Sequence, residues 1–247
     1  MISPFCYLMF YHAALVLAHK MKGEHTVPYV DKLALADARQ QLDFAAVDAL
    51  IETQDAAIYS PVRRAESRMV YEYMLALQAK VARAEYADFV RGLSPIFTDL
   101  FEGILLKQAH FDIANFTSAR ENMLQWDLKK LRESEKIGAI LDNAYHGKFE
   151  GKWIQAAHLA KLGEALIQDT EIRRCITELR KVEASVRNMA AHNMISVSDE
   201  WIKKKTGHTS NEIVFLIREA FSYTSHDISE SDWNSYNDMN KDIIKAI

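Results

Sequence analysis

Cysteine is almost missing from this chain, with two in 247 residues, Cys6 and Cys175. Neither belongs to a C-x-x-C pair or a mixed Cys/His cluster, which excludes a disulfide framework, argues against a zinc site and fits a reducing cytoplasm. Glycine and proline are scarce, at 8 and 4 residues, so tight turns are few. No alternation is long enough to support a sheet, no fixed-period repeat or low-complexity linker occurs, and no Gly-rich loop is present to cradle a nucleotide phosphate. A basic excess is missing too. Thirty Lys and Arg stand against 34 Asp and Glu, a formal net charge of −4, which excludes a protein that coats nucleic acid through its backbone. Any RNA contact must be local. The apolar run from Ile2 to Ala18 carries Pro4 and His12, falls short of the ~20 residues of a span, and lacks the basic start of a signal peptide. It reads as a buried helix, and a chain that starts on one is expected to be preceded by something else.

What is present is Ala, Leu, Ile, Glu, Lys and Arg in long helical patterns, so the expected class is all-α, at a length able to bury a large core without staples. Phe5 to Met21, Asp31 to Gln41, Asp43 to Thr53 and Val62 to Arg83 read as helices, the last with Met69, Val70, Tyr73, Met74 and Leu77 on its inward stripe. Gly92-Leu93-Ser94-Pro95 marks a kink or turn, after which a new helix carries Ile96, Leu100, Ile104 and Leu105. Thr117 caps a helix over Ala119 to Leu131 that continues to about Leu141, with Lys129, Lys130 and Arg132 as a solvated basic cluster. Tyr145 to Lys152 is an exposed loop. Trp153 to Ile167 turns Ile154, Ala157, Leu162 and Leu166 inward. From Thr170 a central helix buries Ile172, Ile176, Leu179, Val182 and Val186 at spacings of three and four. Shorter helices follow from Ser198, Asn211 and Ser231.

The central helix ends in Arg187-Asn188-Met189-Ala190-Ala191-His192. Arginine is a permanent cation with planar donors suited to phosphate, and histidine carries protons near neutral pH, the two abilities phosphodiester chemistry needs. On a helix Arg187 and His192 point about 140° apart, whereas Asn188 and His192 share a face. One helix does not close the site alone: Arg187 reaches around, the helix breaks near His192, or a second copy supplies the missing groups. From spacing alone a plainer reading stands beside this one, with Arg187 paired to Glu183 and His192 capping the helix. Cys175 reads as a core residue, and the other histidines are scattered without ligand spacing.

The segment Val186 to His192, followed by Ile195 to Gly207 with its Lys203-Lys204-Lys205 run, resembles the ribonuclease domain of the HEPN superfamily. It is most similar to the type III CRISPR-associated ancillary ribonucleases that join a HEPN domain to a ligand-sensing CARF domain. Met74 to Leu77, Tyr86 to Phe89, Leu93 to Pro95 and Asp99 to Phe101 share that look, so the likeness covers about residues 40 to 225. It implies a HEPN-type helical bundle with additional N-terminal helices, residues 1–60 as an N-terminal segment and 61–247 as the ribonuclease domain. It further implies a metal-independent, cofactor-free endoribonuclease acting on single-stranded RNA as a homodimer, two R-x-x-x-x-H helices composing one site. Arg187, Asn188 and His192 would be catalytic, and Lys203, Lys204 and Lys205 would steer RNA. Cyclic oligoadenylate would act only through a sensor domain, and no doubly wound α/β domain can be read here. No carboxylate cluster for Mg²⁺ accompanies the motif. Two other outcomes stay open: a non-catalytic HEPN module for dimerisation or RNA binding, and the toxin ribonuclease of a toxin-antitoxin pair.

Overall fold

The computed structural model describes residues 10–21, 29–53, 65–120, 123–190, 196–224 and 228–246. In chain order these form α1 (Tyr11–Met21), α2 (Tyr29–Gln40), α3 (Phe44–Thr53), α4 (Ala65–Ala82) and α5 (Tyr86–Ala109). A 3-10 turn (Ile113–Phe116) leads to strands β1 (Thr117–Arg120) and β2 (Met123–Trp126), then α6 (Leu128–Glu133), α7 (Glu135–Ala144), α8 (Ala156–Leu166) and α9 (Thr170–Ala190). Helices α10 (Asp199–Thr206) and α11 (Ser210–Ser222), a second 3-10 turn (Glu230–Asn234) and α12 (Ser235–Ala246) complete the described chain. The class is all-α, as expected. The chain divides into two compact units, Met1–Glu85 with Asp227–Ile247, and Tyr86–His226.

The first unit is built on α2, which packs against α1, α3, α4 and α12. Its inward face buries Leu33, Leu35 and Ala36, and with them Arg39, whose guanidinium lies against the carboxylate of Glu72. That pair explains a correction on α4. The expected stripe includes Met69, which is 52% exposed, while Glu72 is buried beside Tyr71, Met74, Leu75 and Leu77. A partnered carboxylate turns inward and rotates the helix away from the face that apolar residues alone would select.

In the second unit α5 and α9 form the centre, with α8 and α11 packed on both. The break expected at Ser94-Pro95 does not occur, because Pro95 lies inside the continuous helix α5. Proline in a helix interior costs about 3 kcal/mol. Nine buried apolar side chains, from Phe89 to Leu105, favour the continuous helix, and each contributes roughly 1.5–3 kcal/mol on burial. Pro95 itself is exposed.

The helix expected over Ala119 to Leu131 is instead an antiparallel hairpin, with Thr117 opposite Trp126 and Ser118 opposite Gln125. Its second strand gains a further neighbour: Trp126 N–H donates to the Lys152 carbonyl at 2.9 Å, and Gln125 bridges to Trp153. A partner about 28 positions downstream is invisible to a local pattern. Asp127 then caps α6 by accepting from the amides of Lys129 and Lys130. The loop after α7 turns at Tyr145 to Gly147 and folds back rather than standing free. Phe149 is buried, its amide donates to Asp142 at 2.7 Å, and Arg132 grips both Asp142 and the Phe149 carbonyl at 2.7 Å.

On α8 the inward residues are Ala156, His158, Leu159, Ala160, Leu162 and Gly163, in place of the expected Ile154 and Ala157. His158, polar by type, is drawn in because its Nδ1 accepts the Trp126 indole N–H at 3.0 Å. Phe149, Tyr145 and Trp126 surround its ring at 4.9, 5.4 and 6.1 Å. Burial pushes His158 down to about 4, helped by nearby Arg180, so the ring is neutral. No helix among the described residues is long and apolar enough to cross a membrane.

Candidate active site

Helix α9 positions the motif. Asp169 opens it by accepting from the amides of Glu171 and Ile172 at 2.8 and 3.2 Å. Ile172, Ile176, Leu179, Val182 and Val186 are all buried, so the expected stripe holds along the whole helix. Cys175 lies in the same core, its Sγ 3.7 Å from the Leu216 carbonyl. Burial pushes its thiol up to about 12, which removes it as a nucleophile.

The polar side of α9 is largely self-paired. Arg174 bridges Glu171 at 3.1 Å and Glu219 of α11 at 2.5 Å, and Lys181 pairs with Glu178 at 2.7 Å. Lys181, with help from His208, holds the Glu178 carboxyl below the usual range. Arg180 pairs with Glu183, which is 2% exposed and sits one turn before Arg187. A buried carboxylate at that position is a feature the charge pattern shows only as one more interleaved Glu.

The backbone of Arg187 and Asn188 belongs to the last turn of α9. Their side chains, and His192 entirely, lie outside the described residues. Val186 fixes the register. With Val186 inward, position 187 stands about 100° around the helix and position 188 about 200°, opposite the core.

Lys203, Lys204 and Lys205 are exposed in the last turn of α10. That helix is capped by Ser198, which accepts from the Trp201 amide at 3.2 Å, and stopped by Gly207 at φ +85°. His208 then lies 3.3 Å from Glu178. Glu178 precedes Arg187 by nine residues, about 14 Å along the axis. The lysines therefore flank the middle of α9, while Arg187 and Asn188 belong to its last turn. An open groove of about 810 Å³ in the first unit, lined by Asn234, Asn237, Asp238, Lys241 and Lys245 among others, contains none of these residues. Among the described residues no group of three or more His, Cys, Asp or Glu is arranged to hold a metal ion.

A central helix buried along one stripe within an all-α unit is consistent with a domain of the HEPN type. The chain belongs to the family described as the Cas_Csm6 HEPN domain, whose model matches residues 59–244. It is 25% identical over 185 residues to the CRISPR system endoribonuclease Csm6 of Mycobacterium tuberculosis, which covers 72% of this chain and 39% of that protein. Its fold is similar to that of Enterococcus italicus Csm6 bound to cyclic hexa-2'-fluoro-hexa-dAMP, with a TM-score of 0.74 and 14% identity over 100% of this chain and 56% of the other. The chain thus spans about half, or less, of the length of the relatives it matches.

Proposed function

We propose that this chain is the catalytic part of a CRISPR-associated, metal-independent endoribonuclease, with residues 61–247 as the ribonuclease region. The observation that carries the reading is the placement of Arg187 and Asn188 in the last turn of α9, inside the stretch matched by the family. In the reaction the 2′-oxygen of RNA bonds to the adjacent phosphorus while the bond to the 5′-oxygen breaks. The 2′-hydroxyl proton leaves to a base and a proton reaches the departing 5′-oxygen, giving a cyclic phosphate and a 5′-hydroxyl with no net redox change. His192 moves a proton as base or acid, Arg187 stabilises charge on the phosphorane, and Asn188 orients the ring or the phosphate.

The 140° offset between Arg187 and His192 on an ideal helix supports a composite site shared by two chains, hence a homodimer acting on single-stranded RNA. Lys203, Lys204 and Lys205 steer the polyanion along the flank of α9. The cyclic hexanucleotide bound to the enterococcal relative supports activation by cyclic oligoadenylate through a sensor domain outside this chain. The cytoplasm is the matching compartment.

The test is cleavage of single-stranded RNA in EDTA by the chain, by Arg187→Ala and by His192→Ala, with solution mass measured alongside. Cleavage is expected in EDTA, loss of it in both variants, and a dimer in all three; a variant that cleaves like the parent sinks the assignment. One observation favours a second reading. The acidic balance and the self-paired charge of α9 suit a non-catalytic HEPN scaffold, which would dimerise without cleaving.

A further inference from the structure

The hairpin carries a row of groups that the catalytic reading does not use. Ser118 pairs with Gln125 across the two strands, and Gln125 bridges in turn to Trp153 on the segment that runs beside β2. Directly opposed residues of antiparallel strands project to the same face. A hydroxyl, a primary amide and an indole therefore line up across three strands, each about 5 Å from the next.

Two features of this row are of the kind a ligand uses. Gln125 is only 8% exposed, yet its Nε2 has no hydrogen-bond partner among the described residues. A buried amide donor without a partner costs about 1–3 kcal/mol, and rotation of the amide about its last bond exchanges the donor with the oxygen beside it. Trp153 is half-buried, and the Lys152 ammonium stands 4.8 Å from its ring centroid. An indole with an ammonium over its ring and an amide in line with it offer what a nucleobase with its phosphate uses: an aromatic surface, charge and an edge partner.

The local charge agrees with that ligand. From Leu124 to Lys161 seven Lys and Arg stand against five Asp and Glu, in a chain whose net charge is −4. Two of those five acids are committed, Asp127 to the amides that open α6 and Asp142 to Arg132 and the Phe149 amide, and two of the seven cations are paired as well, Arg132 with Asp142 and Lys161 with Glu164. Lys129, Lys130, Lys148 and Lys152 are exposed. Lys152 is fixed beside the hairpin because its carbonyl accepts from Trp126, and Lys129 and Lys130 follow Trp126 by three and four residues.

We propose that Ser118, Gln125 and Trp153, with Lys152, form an accessory subsite that holds one unpaired base of single-stranded RNA and its phosphate. The subsite rests on the ribonuclease reading for its biological sense and not for its chemistry. It would retain the substrate strand on the hairpin while another part of the strand occupies the motif at the end of α9. A duplex, whose bases are stacked within and paired, has no face to offer it.

The experiment is equilibrium binding of a labelled single-stranded RNA of ~12 nucleotides, and of the same RNA annealed to its complement, followed by fluorescence anisotropy. The proteins are the chain with His192→Ala, to prevent turnover, and the same background carrying Trp153→Ala, Trp153→Phe or Lys148→Ala with Lys152→Ala. Trp153→Ala is expected to weaken single-strand binding on the order of tenfold, and Trp153→Phe to restore most of it. The lysine pair should lower the slope of log K against log salt by roughly 0.7 for each phosphate that is no longer neutralised. The lysine variant keeps the reading testable should Trp153→Ala fail to fold, since both lysines are exposed.

Failure of the parent to bind RNA overturns the subsite, as do variants that bind like the parent or a duplex that binds equally well. The two readings fail separately. Binding that depends on Trp153 in a chain that never cleaves overturns only the ribonuclease, and cleavage with binding indifferent to Trp153 and Lys152 overturns only the subsite.

Discussion

Replacing Glu72 by Gln should destabilise the first unit severely without changing its shape. The Glu72 and Arg39 side chains are each 1% exposed, and Arg39 Nε lies 3.1 Å from both carboxylate oxygens. Arg39 Nη1 reaches Ser235 Oγ at 2.9 Å and the Met239 sulfur at 2.8 Å, and the guanidinium stands 4.9 Å over the Tyr236 ring. Burial opposes the charge on Arg39, and Glu72 more than restores it, so its pKa is raised. Glu72→Gln removes the carboxylate charge and leaves a guanidinium in the core with only neutral partners. Breaking a buried pair in this way costs about 3–5 kcal/mol, which for a chain of this size lowers Tm by roughly 10 °C. The converse substitution separates charge from packing. Arg39→Met with Glu72→Leu removes both charges together and should be near neutral, because desolvation opposed the pair from the start. The assay is urea denaturation followed by far-ultraviolet circular dichroism. A Glu72→Gln variant within about 1 kcal/mol of the parent would refute the reasoning.

Four further outcomes follow from the same structure. Pro95→Ala restores the amide that α5 lacks, and should raise the denaturation midpoint by the equivalent of about 1–3 kcal/mol. Cys175, in a Cys6→Ser background, should react with a thiol reagent only on unfolding, since its thiol is buried and pushed up to about 12. His158 is held at about 4 when folded, below its unfolded value near 6.5. Its unfolded form therefore binds the extra proton first, and stability should fall as pH drops from 6.5 toward 4, by up to about 3 kcal/mol, a dependence that His158→Gln abolishes. Asn188→Ala, at a position about 200° from buried Val186, should cost about a hundredfold in cleavage while moving stability by less than about 0.5 kcal/mol.

The parts of the fold legible in the sequence are those whose causes are local. The α9 stripe repeats over 21 residues and needs no partner to be read, and Ser198 opens α10 where cap chemistry places it. The hairpin is not legible in that way. Thr117 to Trp126 holds four residues on each strand, too few for alternation to outweigh a helical pattern, and its stabilising neighbours arrive only at Lys152 to Ile154. The same reason hides two inward polar groups. Glu72 and His158 are buried because Arg39 and Trp126 await them, and no reading of either helix by itself contains that fact.

The motif shows the limit from the other side. Residues that pack repeat, and their period betrays them; residues that do chemistry need only to meet, and two of them carry no period at all. Spacing leaves Arg187 between an ion pair with Glu183 and a place in an active site, and of these two residues the structure describes the side chain of Glu183. Glu183 is buried and already engaged by Arg180 from within α9. An arginine held at its base by a buried acid would have less freedom to lose on meeting a phosphate, so an ion pair and a place in an active site do not exclude each other.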